Sequence, residues 1–419
     1  MQVYFADRVV GWIEPRKDGL AFHYDPQWLD DARAFPLSLG IPLTPETVGP
    51  EVFVPWIANL LPEGPALRRI GQLLGMAPED LLAMLGEIGR DTAGALSIGA
   101  PGTTRSDYRE IETDADLERI IGDLPRKPFL VGEEGVSMSL AGVQTKLGVF
   151  RTQKGTLAIP FNGSPSTHIL KPDAADRLYG SVQNEAYCMT LARLAGLDAA
   201  EVTTGRAGER NYLLVTRYDR QEDGNSWRRL HQEDFCQALG KPPEAKYERN
   251  QTGIKGPSAV DMLRLSRAAV GAPAVVRLLD GIVFNIVACN TDAHAKNYAI
   301  MLSPGAPRLA PLYDVLATQV WGGITPNLAQ SIAGKTRGDH LKQRHWIRFA
   351  EDAGLARAAA LRRIHALIGR VEKAMPAARS AVRAMPAGDH PMLDDVAELI
   401  KKRIAHLRTG LEDDRLIDD

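Results

Sequence analysis

The chain has 419 residues, 44% hydrophobic and 24% charged, with a formal net charge of −2. That is the composition of a soluble globular protein with core enough for two or three domains, and it carries no global basic excess of the kind that marks a nucleic-acid binder. Three separated cysteines, Cys188, Cys236 and Cys289, form no CxxC, which excludes a disulfide framework and a zinc cluster and points to a reducing cytoplasm.

The opening "MQVYFADRVVGW" lacks the basic and apolar regions of a signal peptide. Residues 1 to about 50 alternate apolar runs with Gly, Asp and Pro and predict strands ("VYFADRVVGWI", "LAFHYDPQWL"). From Glu51 to Glu87 the period turns helical, with Trp56, Leu60, Leu61, Leu67, Ile70, Leu73 and Leu74 at three- and four-residue steps. "APEDLLAMLGEIG" predicts a helix with Pro78 in its first turn and acids near its start. "GALSIG" predicts a closing strand, which completes an α/β subdomain over residues 1–103.

"PGTTRSDY" reads as a linker and "DADLERIIGDL" as a short helix. The glycine-containing "VGEEGVSMSLAGVQTK" leads into three predicted strands, "LGVFR", "TLAIP" and "THILKP". A helix follows, "SVQNEAYCMTLARLAGL", then two more strands, "EVTTGR" and "NYLLVTRYDR". Together they predict an antiparallel α+β lobe over 104–222. Beyond Leu230 helices are expected at 231–239, 258–288, 353–375 and 392–408, so 223–419 reads as all-helical. The most apolar stretch, Ala272 to Cys289, is broken by Arg277 and Asp280 and is short for a bilayer span. It predicts a buried helix and no membrane association. No repeat of fixed period is present.

Directly after that apolar run comes "NTDAHAKNYAI". Asp292 and Asn297 in it have the D-x-x-x-x-N spacing of the protein-kinase catalytic loop, where the Asp takes or orients a hydroxyl and the Asn oxygen helps hold Mg²⁺. A polar helix-to-strand turn has the same composition. In "LAPLYDVLAT" Asp314 sits among apolar neighbours, and a buried carboxylate needs a cation, donors or water. Mg²⁺ shared with Asn297 supplies the cation; a strand-end Asp capping a turn is the alternative.

Lys171 ends the apolar strand of "THILKP". It fits an ATP-phosphate lysine, with Glu185 as a possible partner, or an edge-strand lysine reaching solvent. "NYLLVTRYDR" suits a hinge: backbone from Thr216 to Tyr218 facing adenine, Tyr218 packing on the ring, Asp219 reaching the ribose. A strand ending in a charged turn fits as well. "AGKT" at 333–336 is no Walker loop, since Ala329 stands where the first glycine belongs. The nine histidines show no HExxH.

Taken in order, "SLAGVQTKLGVF", "THILKP", "NEAYCMTLARLAGL", "RYDR", "HQEDFCQALG", "NTDAHAKNYAI" and "PLYDVLAT" resemble one family over nearly the whole chain: the HipA serine/threonine kinase toxins of bacterial toxin–antitoxin modules. The resemblance implies a protein-kinase-like, two-lobed α+β fold. It has a mixed α/β N-lobe, an all-helical C-lobe and an extra N-terminal α/β subdomain. It implies transfer of the ATP γ-phosphate, with Mg²⁺, to a protein serine or threonine. Asp292 is then the catalytic residue, Asn297 and Asp314 hold Mg²⁺, Lys171 contacts phosphates and His294 lies near the nucleotide. Ser139 matches the family's autophosphorylated serine, and Gly142 lies in the same loop, where backbone N–H groups face phosphate. A phosphoserine adds about −1.5 to −2 of charge, which repels ATP phosphates and competes for their cations, so modification restrains the kinase.

The chain departs from the family pattern at the hinge, where Thr216 replaces a common Glu and Tyr218 replaces Phe. Residues 132–142 do not form G-x-G-x-x-G. The implied partners are a HipB-like helix-turn-helix antitoxin, operator DNA bound through that complex, and a protein substrate of the aminoacyl-tRNA synthetase class. The competing readings are a catalytically silent co-repressor and a small-molecule phosphotransferase.

Overall fold

The computed structural model describes residues 1–104, 107–174, 178–224, 226–303 and 305–413. Arg105 and Ser106 of the expected linker lie outside them. The chain forms two compact units, and neither is one continuous stretch. The first comprises Met1–Pro172, Arg206–Pro243 and Ala299–Ala310; the second comprises Asp173–Gly205, Glu244–Tyr298 and Pro311–Asp419.

In the first unit β1 (Gln2–Phe5), β2 (Arg8–Arg16), β3 (Gly19–Tyr24) and β4 (Leu96–Ile98) make an antiparallel sheet in the order β3-β2-β1-β4. The predicted helical stretch resolves into Pro50–Ala58, Gly64–Leu74 and Leu81–Ile88. The third starts later than its sequence suggests. Asp80 accepts a hydrogen bond from Ala83 N at 3.0 Å and caps it, leaving Pro78 outside. Phe22 stacks on Phe53 and Phe53 on Trp56, so helix and sheet meet through aromatic faces.

The second sheet of this unit contains β5 (Tyr108–Glu110), β6 (Leu147–Arg151), β7 (Leu157–Pro160) and β8 (His168–Pro172). β9 (Val202–Ala207) carries the chain back from the second unit, and β10 (Arg210–Thr216) pairs antiparallel with β8. Within this unit the order is β5-β7-β6-β8-β10. One hydrophobic cluster runs from Val3, Phe22 and Phe53 through Leu140, Leu147 and Val149 to Leu170 and Leu214. The N-terminal sheet and the second sheet therefore share a core.

An all-helical region beyond residue 223 is not what forms. β11 (Arg220–Asp223) pairs with β12 (Ser226–Arg229), and β13 (Gln232–Asp234), β14 (Ala299–Met301) and β15 (Arg308–Leu309) make a three-stranded sheet. β16 (Asn327–Ile332) and β17 (Lys335–Arg337) form a hairpin in the second unit. These strands are too short to show an alternating period, and β13 finds its partner far along the chain.

The second unit is otherwise helical, with Ser181–Leu194, Ala259–Ala269, Ala272–Val287, Gln343–Asp352, Arg357–Arg383 and Met392–Glu412. The helix Ala272–Val287 is buried along most of its length. Its two charges are accounted for. Arg277 pairs with Asp198, and Asp280 accepts from Arg363 Nε and Nη2 at 2.6 and 2.7 Å. No helix among the described residues is long and apolar enough to cross a membrane.

Glu233 on β13 is almost wholly enclosed and accepts a hydrogen bond from Leu39 N at 2.8 Å. Burial raises its pKa to about 8 against the opposing bonds from Leu39 and Ser38. The folded state therefore binds this proton more tightly than the unfolded chain. Stability is greatest below the ordinary carboxylate pKa and falls as pH rises towards 8. Glu233→Gln is expected to flatten the pH dependence of the unfolding midpoint across that window and to raise the midpoint at pH 8, as read by thermal denaturation. An unchanged pH profile contradicts this assignment.

Candidate active site

The site is built where the helix Ala272–Val287 ends, in the second unit. A buried amide must satisfy its donors and acceptor. Asn285 does so by donating to Gly281 O and to Tyr298 Oη, both at 3.0 Å, and by accepting from Asn290 Nδ2 at 2.8 Å. Asn290 Oδ1 in turn accepts from Asp292 N at 3.0 Å. Cys289 turns the chain with a positive φ of 58°. Arg403 Nη1 reaches Ile286 O at 3.1 Å and satisfies a carbonyl of the last helical turn. Thr291 is tied by its N–H to Thr318 Oγ1 at 2.8 Å.

The D-x-x-x-x-N segment then closes on itself. His294 N donates to Asp292 O at 2.7 Å, Asn297 Nδ2 donates to the same carbonyl at 3.0 Å, and Asn297 N donates to His294 O at 2.8 Å. The Asn297 amide nitrogen is thereby committed to the loop, which leaves its oxygen for another task. Asn297 and His294 are buried, whereas Asp292 is exposed. The geometry keeps one carboxylate in reach of a large partner.

Asp314 is half-buried rather than enclosed, so its carboxylate keeps a route to water. It holds a positive φ of 58°, a conformation that Asp tolerates better than most residues and that concentrates at functional sites. Tyr313 Oη donates to Lys296 O at 2.6 Å and fastens this segment to the loop. Burial, with Lys246 and Lys296 nearby, holds His294 well below the usual histidine range against the opposing pull of Asp314. The His294 Nδ1 has no hydrogen-bond partner among the described residues.

Asp292, His294, Asn297 and Asp314 thus belong to one region of the second unit. An amide oxygen and a carboxylate are the hard oxygen donors Mg²⁺ takes, and Mg²⁺ completes its octahedron with water and substrate phosphate. Among the described residues no cluster of three or more His, Cys, Asp or Glu has a metal-holding arrangement. The donor set fits an ion that arrives with a phosphate ligand.

The other expected site residues lie in the first unit. Lys171 is 6% exposed on β8, opposite Leu213 of β10, which is unlike an edge lysine reaching solvent. Glu185, its suggested partner, is buried in the helix Ser181–Leu194 of the second unit. Gly142 has φ 102°, and its carbonyl accepts from Glu63 N at 3.1 Å. Ser139 is fully enclosed: its N–H donates to Asp91 O at 2.9 Å and its Oγ to Leu60 O at 2.7 Å. Thr216 ends β10 opposite His168, and Tyr218 Oη donates to Gln232 Oε1 at 2.5 Å.

Asp219 requires a correction. Its carboxylate does not face outward as a ribose ligand should. It accepts from Arg217 Nε and Nη2 at 2.9 and 2.7 Å and from Gly94 N at 2.7 Å. Arg220 Nη2 binds Asp91 Oδ1 at 2.8 Å, and Arg229 lies 3.3 Å from the same oxygen. Asp91 Oδ2 accepts from Ser166 N and Oγ at 3.0 and 2.6 Å. Three guanidinium groups and two carboxylates are sealed together. Burial lowers Arg229 to about 10, and burial opposed by the three arginines still leaves Asp91 well below the carboxylate range. R-Y-D-R is an internal brace between the segment before β4 and the residues that follow β10, not a surface turn.

Sequence reasoning also passed over Tyr247, whose hydroxyl donates to Asp292 Oδ1, and Thr318, which anchors Thr291. Tyr247 belongs to no local motif, and Thr318 closes "PLYDVLAT" without a sign of the bond it makes. Only the fold brings them to the loop.

Comparison with known proteins finds two matching family models: the HipA N-terminal domain over residues 1–99 and the HipA-like C-terminal domain over 138–376. The Sinorhizobium fredii protein named "Putative kinase Y4mE" is 37% identical over 391 residues, spanning 90% of each chain. The Shewanella oneidensis "Serine/threonine-protein kinase toxin HipA" is 28% identical over 425 residues, 98% of this chain and 94% of that one. Among solved structures, the Shewanella oneidensis MR-1 complex of HipA, HipB and operator DNA superposes with a TM-score of 0.84. The identity there is 26%, over 99% of this chain and 100% of that one.

Asp91 anchors the buried brace, so removing its charge takes from Arg229 its carboxylate and leaves Arg220 to Asp219 alone. Breaking such a pair costs about 3–5 kcal/mol. Asp91→Asn is expected to lose that much stability in urea denaturation. A loss within the ordinary surface range of about 0.5 kcal/mol contradicts the brace.

Proposed function

The chain belongs to the HipA family, and from that premise we propose that it is an ATP- and Mg²⁺-dependent serine/threonine protein kinase, the toxin of a toxin–antitoxin module. The observation that carries this reading is the self-closed Asp292–Asn297 loop, in which the Asn297 amide nitrogen is held by Asp292 O and the Asp292 side chain stands at an exposed position.

In this reading the exposed Asp292 carboxylate accepts a hydrogen bond from the acceptor Ser or Thr hydroxyl, orients it and takes its proton as that oxygen bonds to the γ-phosphorus and the bond from the γ-phosphorus to ADP breaks. Asn297 and Asp314 would hold Mg²⁺, and the ion would neutralise charge on the phosphate oxygens. His294, buried in the loop, is held towards its uncharged form by that burial and by Lys246. Lys171 is assigned to the ATP phosphates, Gly142 to phosphate through its loop backbone, and Thr216 and Tyr218 to the nucleotide base through their backbone. Asp219 is given no nucleotide role.

Ser139 is assigned as the autophosphorylation site. Its enclosed hydroxyl is unreachable while it donates to Leu60 O, so phosphorylation requires its segment to leave that niche. A phosphate of about −2 charge facing a backbone carbonyl cannot return there. The modified and the packed states then exclude one another, which supplies the inactivation. The partners follow the family: a HipB-like antitoxin, operator DNA through that complex, and an aminoacyl-tRNA synthetase as acceptor, all in the cytoplasm. The Shewanella complex of HipA, HipB and operator DNA supports the first two.

The test is phosphate transfer. Phosphatase-treated protein is incubated with Mg²⁺-ATP and followed by intact mass and site mapping. Cells expressing wild type or Asp292→Gln are compared by phosphoproteomics. Wild type is expected to gain phosphate on Ser139 and to mark Ser or Thr on another protein; Asp292→Gln is expected to do neither. No transfer by wild type, or equal transfer by the variant, overturns the proposal.

A further inference from the structure

We propose that Tyr247 is a positioning residue for Asp292, holding its carboxylate in the rotamer that meets the acceptor hydroxyl. This rests on the assignment of Asp292 as the catalytic carboxylate. The Tyr247 hydroxyl donates to Asp292 Oδ1. Its ring meets His294 edge to face, with centroids 5.1 Å apart and planes at 89°. One aromatic side chain therefore touches two residues of the loop.

The segment carrying Tyr247 is fastened on every side. Lys246 O accepts from Ala295 N at 3.1 Å, so the backbone before Tyr247 is tied to the loop it serves. Glu248 N donates to Ala329 O at 3.1 Å, and its carboxylate accepts from Ser331 N and Oγ at 2.5 and 3.0 Å. Asn250 Nδ2 donates to Tyr247 O at 3.0 Å. Behind it the chain packs so closely that a Cβ on Gly256 would stand 1.9 Å from Tyr247 O and 2.4 Å from Ala245 O. Such a segment is a fixed support, not a lid.

A carboxylate on an exposed loop samples several rotamers, and chemistry needs one. A donor fixed by its own surroundings selects that rotamer before substrate arrives.

The experiment compares wild type, Tyr247→Phe and Asp292→Gln, reading the rate of phosphate gain against ATP concentration, with unfolding midpoints alongside. Tyr247→Phe keeps the ring against His294 and removes only the hydroxyl. Its kcat is expected to fall about tenfold, the scale of one hydrogen bond to a charged group. KM for ATP and the unfolding midpoint should stay unchanged. A wild-type kcat in Tyr247→Phe overturns the proposal while leaving Asp292 in place, provided Asp292→Gln is inactive. A parallel loss of kcat, ATP affinity and stability also overturns it, because that marks a packing role. Full activity in Asp292→Gln removes the underlying assignment instead.

Discussion

The amide of Asn285 is the constraint from which the site follows. It lies in a helix that burial alone would place, and a buried amide left short of partners costs about as much as one or more lost hydrogen bonds. Asn285 is satisfied only when Tyr298 and Asn290 stand where they do. Asn290 then fixes the backbone of Asp292, and Asp292 O gathers His294 and Asn297. The loop is a consequence of completing a polar network at the end of an apolar helix. The Asp292 side chain stands at its exposed position, where Tyr247 donates to Oδ1.

Burial is used differently in the first unit. The Asp91, Arg217, Asp219, Arg220 and Arg229 cluster sits where an apolar core would serve stability at least as well. What ions add is geometry: each guanidinium fork fits few partners. The cluster ties the residues after β10 to Thr92 and Gly94 of the N-terminal segment through Arg217 Nη2 and Arg220 Nη1, both at 2.8 Å. Ser139 shares this framework, since its N–H donates to the carbonyl of Asp91. A change at Ser139 therefore falls on a part of the fold that is specified by hydrogen bonds rather than by shape.

Much of this was readable in the sequence where chemistry is local. Asp292 and Asn297 stand out because a carboxylate and an amide at that spacing follow an apolar run. The helix beneath them stands out because Arg277 and Asp280 are its only charges. The N-terminal sheet and β6, β8 and β10 follow from alternation and turn residues. What escaped depends on distance along the chain. R-Y-D-R reads as a charged turn until Asp91 appears, 129 residues from Arg220. Tyr247 precedes Asp292 by 45 residues with no pattern linking them. The short β13, β14 and β15 exist only because they find each other, and the two interleaved units have no boundary that composition marks.

The central claim is that Asn297 and Asp314 hold a metal through which nucleotide binds. Calorimetric titration of ATP into wild type and Asp314→Asn, each with and without Mg²⁺, tests it most directly. The account predicts binding by wild type that strengthens sharply with Mg²⁺ and a variant whose affinity no longer responds to the ion. Equal Mg²⁺ dependence in both proteins would contradict it.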